Sequence, residues 1–553
     1  MSKNLKILRG SLFNQFLNIV KMKRRNFIQN AAAGVVLPSF FGSGEHVGTS
    51  PDSPLMRALL GAATETNHVL VILRMGGGND GLNTVIPLDQ YANLSTARAN
   101  ILINENQVLK LGGANPTNAT GLHPAMTGLK ELYDENKLKI IQSAGYPTPS
   151  FSHFRATDIW MSASDYNKDV PTGWMGRYMM SEYPNYPEAF PNTTMPDPLA
   201  IQVGDMTLGL MGLTGPMGVS YPDLANPYSY VDNGEPPLNG YMGKELDYIR
   251  IVARQSDKYG AAIAAANTKG SNSTAIYPDV TKNALARQLQ NIARLIKGGL
   301  KTRVYLVNVN GSFDTHSTQV DSADHAIGNH ANLLKQMSEA VTAFQRDCEG
   351  LKIDKRVIGM TFSEFGRRIK SNGSAGTDHG AALPMFVWGT NIFGGILGTN
   401  PTISASTDVN SNVPMQYDFR SVYSSILEDW FCVNPTDLNK VMLKNFQKLR
   451  IVNSANCITP TSDINQAAGL NLISNYPNPF SFATTIEFET QGGHTMVQIF
   501  DVEGRLVATP VDASYVEGKY KVYYNGGHLV AGVYYARLQN GSLQQVRTML
   551  KVQ

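Results

Sequence analysis

Two short stretches of this chain pair a carboxylate with an imidazole: Asp314-Thr315-His316 and Asp378-His379. Oxygen and nitrogen donors of this kind make a mixed ligand set suited to a divalent metal ion, with zinc, manganese, magnesium or calcium all open from the residues alone. Asp80 is a third acid of the same kind. It ends the glycine-rich run Met75-Gly76-Gly77-Gly78-Asn79-Asp80. The alternative for the whole set is a group of buried caps and hydrogen-bonded core histidines. His123, His325 and His330 are expected at the surface or in packing.

Ser152, with His153 beside it, opens a helix-like stretch that runs through Trp160. One reading makes Ser152 an N-cap. The other uses the same position chemically. A hydroxyl at a helix N-terminus lies near partial positive charge, which favours an alkoxide and a bound phosphate or sulfate.

These residues need a frame. Val69 to Leu73, Leu138 to Gln142, Val304 to Val309, Val357 to Phe362 and Met385 to Trp388 read as buried strands. Helices are expected over Ala125–Glu135, Lys282–Lys297, Asp324–Cys348 and Ser421–Trp430. The alternation predicts an α/β fold with a mostly parallel sheet and helices on both faces. Ligands of such sheets bind beyond the carboxyl ends of the strands, where the acids and histidines fall. Gly76, Gly78 and Gly81 spell GxGxxG, the fingerprint of a dinucleotide site. That site also needs a helix directly after the glycines and an acid about 20 residues on. Thr84-Val85-Ile86-Pro87 comes instead, so the run is expected to be a turn that brings Asp80 to the sheet edge.

With 553 residues the chain exceeds one ordinary core, and a large domain with a smaller one is expected. Apolar residues at 42% and charged residues at 16% describe a globular protein rather than a disordered one. A net charge of +3, with no long basic run, argues against nucleic acid as a partner. Cys348, Cys432 and Cys457 offer no zinc pattern and allow one disulfide, for which Cys432 and Cys457 are the expected pair.

The two ends have a different style. Lys23-Arg24-Arg25-Asn26-Phe27-Ile28, then the apolar stretch Ala31 to Phe41, reads as an export signal of twin-arginine or general secretory type. About 11 apolar residues are too few to span a bilayer, so no transmembrane segment is expected. Met22 is an alternative start to Met1. The expected division is a signal region over 1–47, an α/β body over 48–452, a polar linker over 453–470 and a β-sandwich over 471–553. In the last segment six or seven short strand-like runs succeed one another, among them Thr484 to Phe488, Met496 to Phe500, Leu506 to Ala508 and Tyr520 to Tyr524, with Asp501 to Gly504 as a hairpin turn.

NYPNPF at 475–480, IFDVEGRLV at 499–507 and LVAGVYYARLQNG at 529–541 resemble the type A C-terminal sorting domain of type nine secretion in Bacteroidetes. That resemblance implies contact with the secretion machinery, a destination at the cell surface or outside the cell, and possible linkage to surface lipopolysaccharide after cleavage. The body is similar to the domain-of-unknown-function family 1501, grouped with the alkaline phosphatase and sulfatase superfamily. The similarity runs in order through RMGGGNDGLNTVIP, GLHPAM, GYPTPSFSHF, TGWMGRY, FDTHSTQ, TFSEFGRRI, GSAGTDHGAALPMFVWG and YDFRSVYSSILEDW.

The superfamily resemblance implies a metal-dependent hydrolase of phosphate or sulfate esters. Ser152, or failing it Ser150, would be the nucleophile. Asp314 and His316 would hold one metal, with Asp80, Asp378 and His379 holding a second. Arg367 and Asn79 would hold the ester oxygens, and His153 would contact substrate. Two departures stand out. Only His494 and His528 lie beyond His379, so the superfamily's last metal histidine has no counterpart in the body; Asp418 would replace it, or one metal would bind. Phe151 stands where related sequences carry Arg. A non-catalytic surface protein that binds or scaffolds with the same fold is the alternative function.

Overall fold

The computed structural model describes residues 67–112, 119–184, 186, 190–193, 195–213, 215–224, 259–453, 471–501, 505–540 and 543–552. The expected signal region and nearly all of the 453–470 linker lie outside them. Contacts gather into two compact units, one over Thr64–Cys457 and one that includes Ile458–Gln553. Cys348 is free and buried, and Cys432 is disulfide-bonded; its expected partner Cys457 lies outside the described residues.

The larger unit is organised by β1 (Val69–Arg74), whose first five residues are all buried. A strand buried at every position is covered on both faces, as a parallel sheet requires. The sheet continues outward from β1 on both sides. Its order is β13 (Gly395–Leu397), β5 (Leu138–Gly145), β12 (Leu383–Gly389), β9 (Val357–Phe362), β1, β8 (Val304–Asn308), β6 (Ala200–Val203) and β7 (Val219–Tyr221). A ninth strand, β14 (Tyr417–Asp418), pairs with β5.

Every described pairing in this sheet is parallel except those of β12. The reason is local. β9 is followed by the hairpin β10 (Arg367–Ser371) and β11 (Thr377–His379) without a crossover helix, so the next strand must return in the opposite sense. A small sheet of β2 (Val85–Pro87), β4 (Thr120–Leu122) and β3 (Leu109–Lys110) lies apart from this sheet. The short members β6, β7, β13 and β14 carry too few residues for a periodicity signal and were not among the expected strands.

Six helices bear on the site and its frame: α1 (Tyr91–Arg98), α2 (Thr127–Asp134), α3 (His153–Ser162), α4 (Ala284–Lys297), α5 (Asn329–Gly350) and α6 (Phe419–Asp429). In α4, Leu285, Leu289, Ile292 and Ile296 are buried at three- and four-residue spacing, one apolar stripe of a surface helix. The side chain of Asn283 accepts from the Ala286 N–H at 3.0 Å and caps it, a contact worth about 1 kcal/mol. α5 begins at Asn329, later than the expected Asp324. The Asp324 carboxylate instead accepts from Ala326 N–H in a turn, and Gly328, with φ of 120°, directly precedes the helix.

The smaller unit is an antiparallel sheet of five strands: β15 (Asn471–Tyr476), β16 (Ala483–Phe500), β17 (Leu506–Asn525), β18 (Gly532–Asn540) and β19 (Leu543–Lys551). Runs expected as separate strands, 484–488 with 496–500 and 506–508 with 520–524, are single long strands. Gly492 and Gly493, with φ of 91° and 85°, break the residue alternation inside β16. One half of β16 pairs with β15 and the other with β18, and a shared apolar cluster draws Ile486 and Phe488 from one half and Val497 and Ile499 from the other.

Candidate metal centre

The three adjacent parallel strands β8, β1 and β9 end in line, with Arg74 opposite both Asn308 and Phe362. The loops beyond them therefore emerge side by side. After β1 comes the glycine run, after β8 the segment to His316, and after β9 Ser363-Glu364-Phe365 and the hairpin. Close stacking of these loops explains the glycines. At Gly77 φ is 113°, and a Cβ there would lie 2.4 Å from the Asp314 backbone nitrogen. At Gly78 φ is 84°, and a Cβ would lie 2.4 Å from the Phe365 ring. Only glycine is free of both penalties.

Three histidines from three elements converge on one carboxylate. His316 Nε2 and His379 Nε2 each lie 3.1 Å from Asp314 Oδ1, and 2.9 Å from each other. His153 Nε2, from the first residue of α3, lies 3.5 Å from Asp314 Oδ2. The far nitrogen of each ring is occupied by an acceptor oxygen. His316 Nδ1 donates to Asp378 Oδ1 at 3.0 Å, His379 Nδ1 to the Phe151 carbonyl at 2.8 Å, and His153 Nδ1 to Glu364 Oε1 at 2.9 Å. Carboxylates and carbonyls only accept, so Nδ1 of each ring carries a hydrogen, and in the neutral rings the Nε2 lone pairs face inward. Three lone pairs and a carboxylate oxygen then meet with no hydrogen between them. Such an arrangement repels itself unless a proton or a metal cation lies among them.

The spacing fits that cation. Ligand bonds of about 2.0–2.2 Å place neighbouring donor atoms roughly 2.8–3.6 Å apart in octahedral or tetrahedral geometry; the contacts of His316 and His379 with Asp314 and with each other, and of His153 with Asp314, run from 2.9 to 3.5 Å. One donor atom each from His153, Asp314 and His379 lie within 4.8 Å of one another. Three imidazoles with one carboxylate suit zinc better than magnesium or calcium, which prefer oxygen-only shells. Burial works against the charge on Asp314, but the hydrogen bond and charge of Arg367 outweigh it and hold the carboxyl below its ordinary range. Burial pulls the His379 ring below its ordinary range, against the Phe151 carbonyl and Asp314.

The expected site residues divide into those brought here and those used elsewhere. Asp314, His316 and His379 lie in one cluster rather than two. Asp378 stands behind His316, accepting from its Nδ1 and from Asn372, on the far side of the ring from Asp314. His153 faces the cluster, not a substrate site.

Asp80 is elsewhere. Its buried carboxylate takes Arg98 Nη1 on both oxygens at 3.0 and 2.9 Å and Gln319 Nε2 at 2.6 Å, which leaves it no role as a ligand. Asn79 is also buried, and its Oδ1 accepts from Thr84 and from His330 Nε2. Arg367, expected to hold ester oxygens, is fully buried and donates to the carbonyls of Gly77, Gly78, Phe313 and Thr377 and to Asp314 Oδ1. Its work is to hold Asp314. Asp418 caps α6 and pairs with Arg420, so it does not replace the absent histidine.

Ser152 occupies the N-cap position of α3, yet its side chain makes no cap hydrogen bond and is exposed. Arg368 lies over the Phe151 ring, 5.0 Å from its centroid. His123 and His330 are buried in packing and His325 bonds the Leu102 carbonyl, as expected of all three. Glu364 was missed. Its signal was its place directly after a buried strand, the same place that singled out the Asp314 segment.

Comparison with known proteins bears on both units. The family model described as protein of unknown function (DUF1501) matches residues 243–431, and the secretion system C-terminal sorting domain matches residues 474–552. No curated protein matches the chain. Among solved structures it is similar to a Bacteroides thetaiotaomicron protein from the metabolism of multiple glycosaminoglycans, at 9% identity over 87% of this chain and 89% of that one, with a TM-score of 0.32. It is similar to a sulfatase from Pseudoalteromonas at 9% identity over 86% of each chain, with a TM-score of 0.31. An alkaline phosphatase superfamily protein from Vibrio parahaemolyticus aligns at 10% identity over 88% and 82%, with a TM-score of 0.28. Scores this low transfer no activity, and the α/β class with a small all-β unit rests on the sheets themselves. The sorting domain implies engagement of the type nine secretion machinery and a destination at the cell surface or outside the cell. Among the described residues no helix is long and apolar enough to cross a membrane.

Proposed function

We propose that the body is a surface-displayed metalloprotein that binds one divalent cation, zinc by donor type, and hydrolyses phosphate or sulfate esters with it. The observation that carries this reading is the convergence of the Nε2 atoms of His153, His316 and His379 on the Asp314 carboxylate, each ring with its Nδ1 on an acceptor oxygen. Asp314, His379 and His153 offer donor atoms within 4.8 Å of one another and are the first ligands, with His316 beside Asp314 and His379 as a further one. A bound cation would supply Lewis-acid charge to an ester oxygen.

The rest falls to the chain's own groups. Arg367 holds Asp314 in place, while Asp378, the Phe151 carbonyl and Glu364 fix the three rings. Ser152 offers an exposed hydroxyl at the positive end of a ten-residue helix, one residue before His153, as the nucleophile. An N-terminal export signal and the sorting module bracket this body, and attachment to surface lipopolysaccharide would retain it after cleavage.

A second reading is a metal-binding surface protein without turnover. It is favoured by the use of Arg367 and Asn79 within the fold, which leaves neither for ester oxygens. The experiment is metal analysis of the purified protein with a panel of chromogenic phosphate and sulfate esters. One equivalent of metal, lost in His379→Ala, with turnover lost in Ser152→Ala, is the expected result. Metal without turnover selects the second reading, and no metal in the wild type removes both.

A further inference from the structure

Glu364 is the least exposed carboxylate near the cluster, with its side chain 1% accessible. A buried acid is costly unless its charge is used, so the uses are informative. Oε1 accepts the Gly77 N–H at 2.8 Å and the His153 Nδ1–H at 2.9 Å. Oε2 is buried and has no hydrogen-bond partner. The whole polar output of the group is therefore spent at one oxygen, on one backbone amide and one histidine.

From this we infer that Glu364 is a positioning residue, one that makes His153 a metal ligand by fixing its tautomer and aim. The inference rests on the proposed metal centre. The amide of Gly77 keeps the carboxylate still. Gly77 is in turn held against the Asp314 backbone, where no side chain fits, so the glycine run couples the aim of His153 to the position of Asp314. The ring of His153 packs on Phe365 at 4.9 Å and edge-on to His379 at 4.5 Å, which leaves its tilt to be set by the Glu364 bond. With Nδ1 carrying the hydrogen, Nε2 faces Asp314 as a lone pair. A carboxylate behind the ring also raises the ligand's basicity, and losing such a partner typically costs 10- to 100-fold in metal affinity.

Two features acquire a role here: the glycine run, expected only as a turn that brings Asp80 to the sheet edge, and the acid after β9. Because Glu364 acts through His153, its effect must vanish when His153 is gone. A merely structural role for a buried acid would not behave that way.

The test uses the full chain and zinc alone as the probe, with affinity read by competition against a chromogenic chelator. Glu364→Ala should weaken zinc binding 10- to 100-fold. Glu364→Gln, whose carbonyl still accepts from Nδ1, should lose less than tenfold. His153→Ala/Glu364→Ala should bind no more weakly than His153→Ala. Equal affinity for Glu364→Ala and wild type, or losses that multiply in the double variant, would overturn the inference. A second readout is independent of metal. In metal-stripped protein, imidazole ¹⁵N shifts should report His153 protonated at Nδ1, and Glu364→Ala should convert it to a mixture. That result with no zinc binding in wild type would remove the metal centre and keep the tautomer lock, whereas an Nε2-protonated His153 in wild type would overturn the lock itself.

Discussion

Changing Asp80 to Asn separates a stability role from a metal role more cleanly than any other substitution. Asp80 and Arg98 form an ion pair whose side chains are 1% and 0% exposed. Burial opposes the Asp80 charge, but the Arg98 charge outweighs this, with help from Gln319, and holds the carboxyl below its usual range. In Asp80→Asn the guanidinium stays anchored by the carbonyls of Ile369 and Arg368 and by Asn83 Oδ1, yet its charge has no counterion. Removing one partner of a buried pair costs about 3–5 kcal/mol, which is roughly two to four decades in the folding equilibrium. Chemical denaturation followed by tryptophan fluorescence measures this, and the zinc content of the same preparations measures the other role.

The expected outcome is a large stability loss with metal stoichiometry and affinity unchanged. Asp80→Asn/Arg98→Met should recover part of the loss, since no unpaired charge is left buried. The sign with pH comes from the depressed carboxyl. Its contribution is present above the unfolded value of about 3.9 and fades as pH falls through the folded value. Loss of metal in Asp80→Asn with stability intact would refute the reasoning and return Asp80 to the ligand set.

The same geometry sets other outcomes. Burial depresses His330 to about 4 and His123 to about 3. The unfolded chain takes up these protons near pH 6.5, so stability should be complete above that pH and fall below it by about 1.4 kcal/mol per pH unit for each histidine. Denaturation at stepped pH checks this, and His330→Gln should remove one such share of the slope between pH 6.5 and 4. Gly77→Ala should destabilise by several kcal/mol and weaken zinc binding, since φ is 113° and the added carbon meets the Asp314 backbone. Gly373→Ala, with nothing within 4 Å of its added carbon, is the control. Ser152→Ala should change stability by less than about 0.5 kcal/mol, because the cap bond worth about 1 kcal/mol is not made. Its zinc affinity should be that of wild type, while turnover of any ester the wild type hydrolyses should be lost.

The sequence by itself determined the frame. Runs such as Val69 to Leu73 and Val357 to Phe362 are apolar at nearly every position, and a strand buried on both faces uses such a pattern. Leu285, Leu289, Ile292 and Ile296 could be read as one helical stripe for an equally local reason. Local pattern also placed Asp314, His316 and His379 beyond strand ends, and the alternation after residue 471 announced an all-β module. Nothing local separates a five-stranded sheet with long strands from seven short ones, because the residue alternation lapses at Gly492 and Gly493 while the pairing runs on.

Tertiary structure alone decided which acid is ringed by histidines and which is closed off by Arg98 and Gln319. Asp80 and Asp314 have similar credentials in sequence, each an acid in the loop beyond a buried strand. Arg98 and Gln319 arrive beside one, and three imidazoles beside the other, from segments up to 239 residues away. The same holds for Arg367, whose charge was legible but whose burial against four carbonyls was not. Residue type fixes what a side chain is able to do; the company it keeps is a long-range property of packing, and that company assigned each role here.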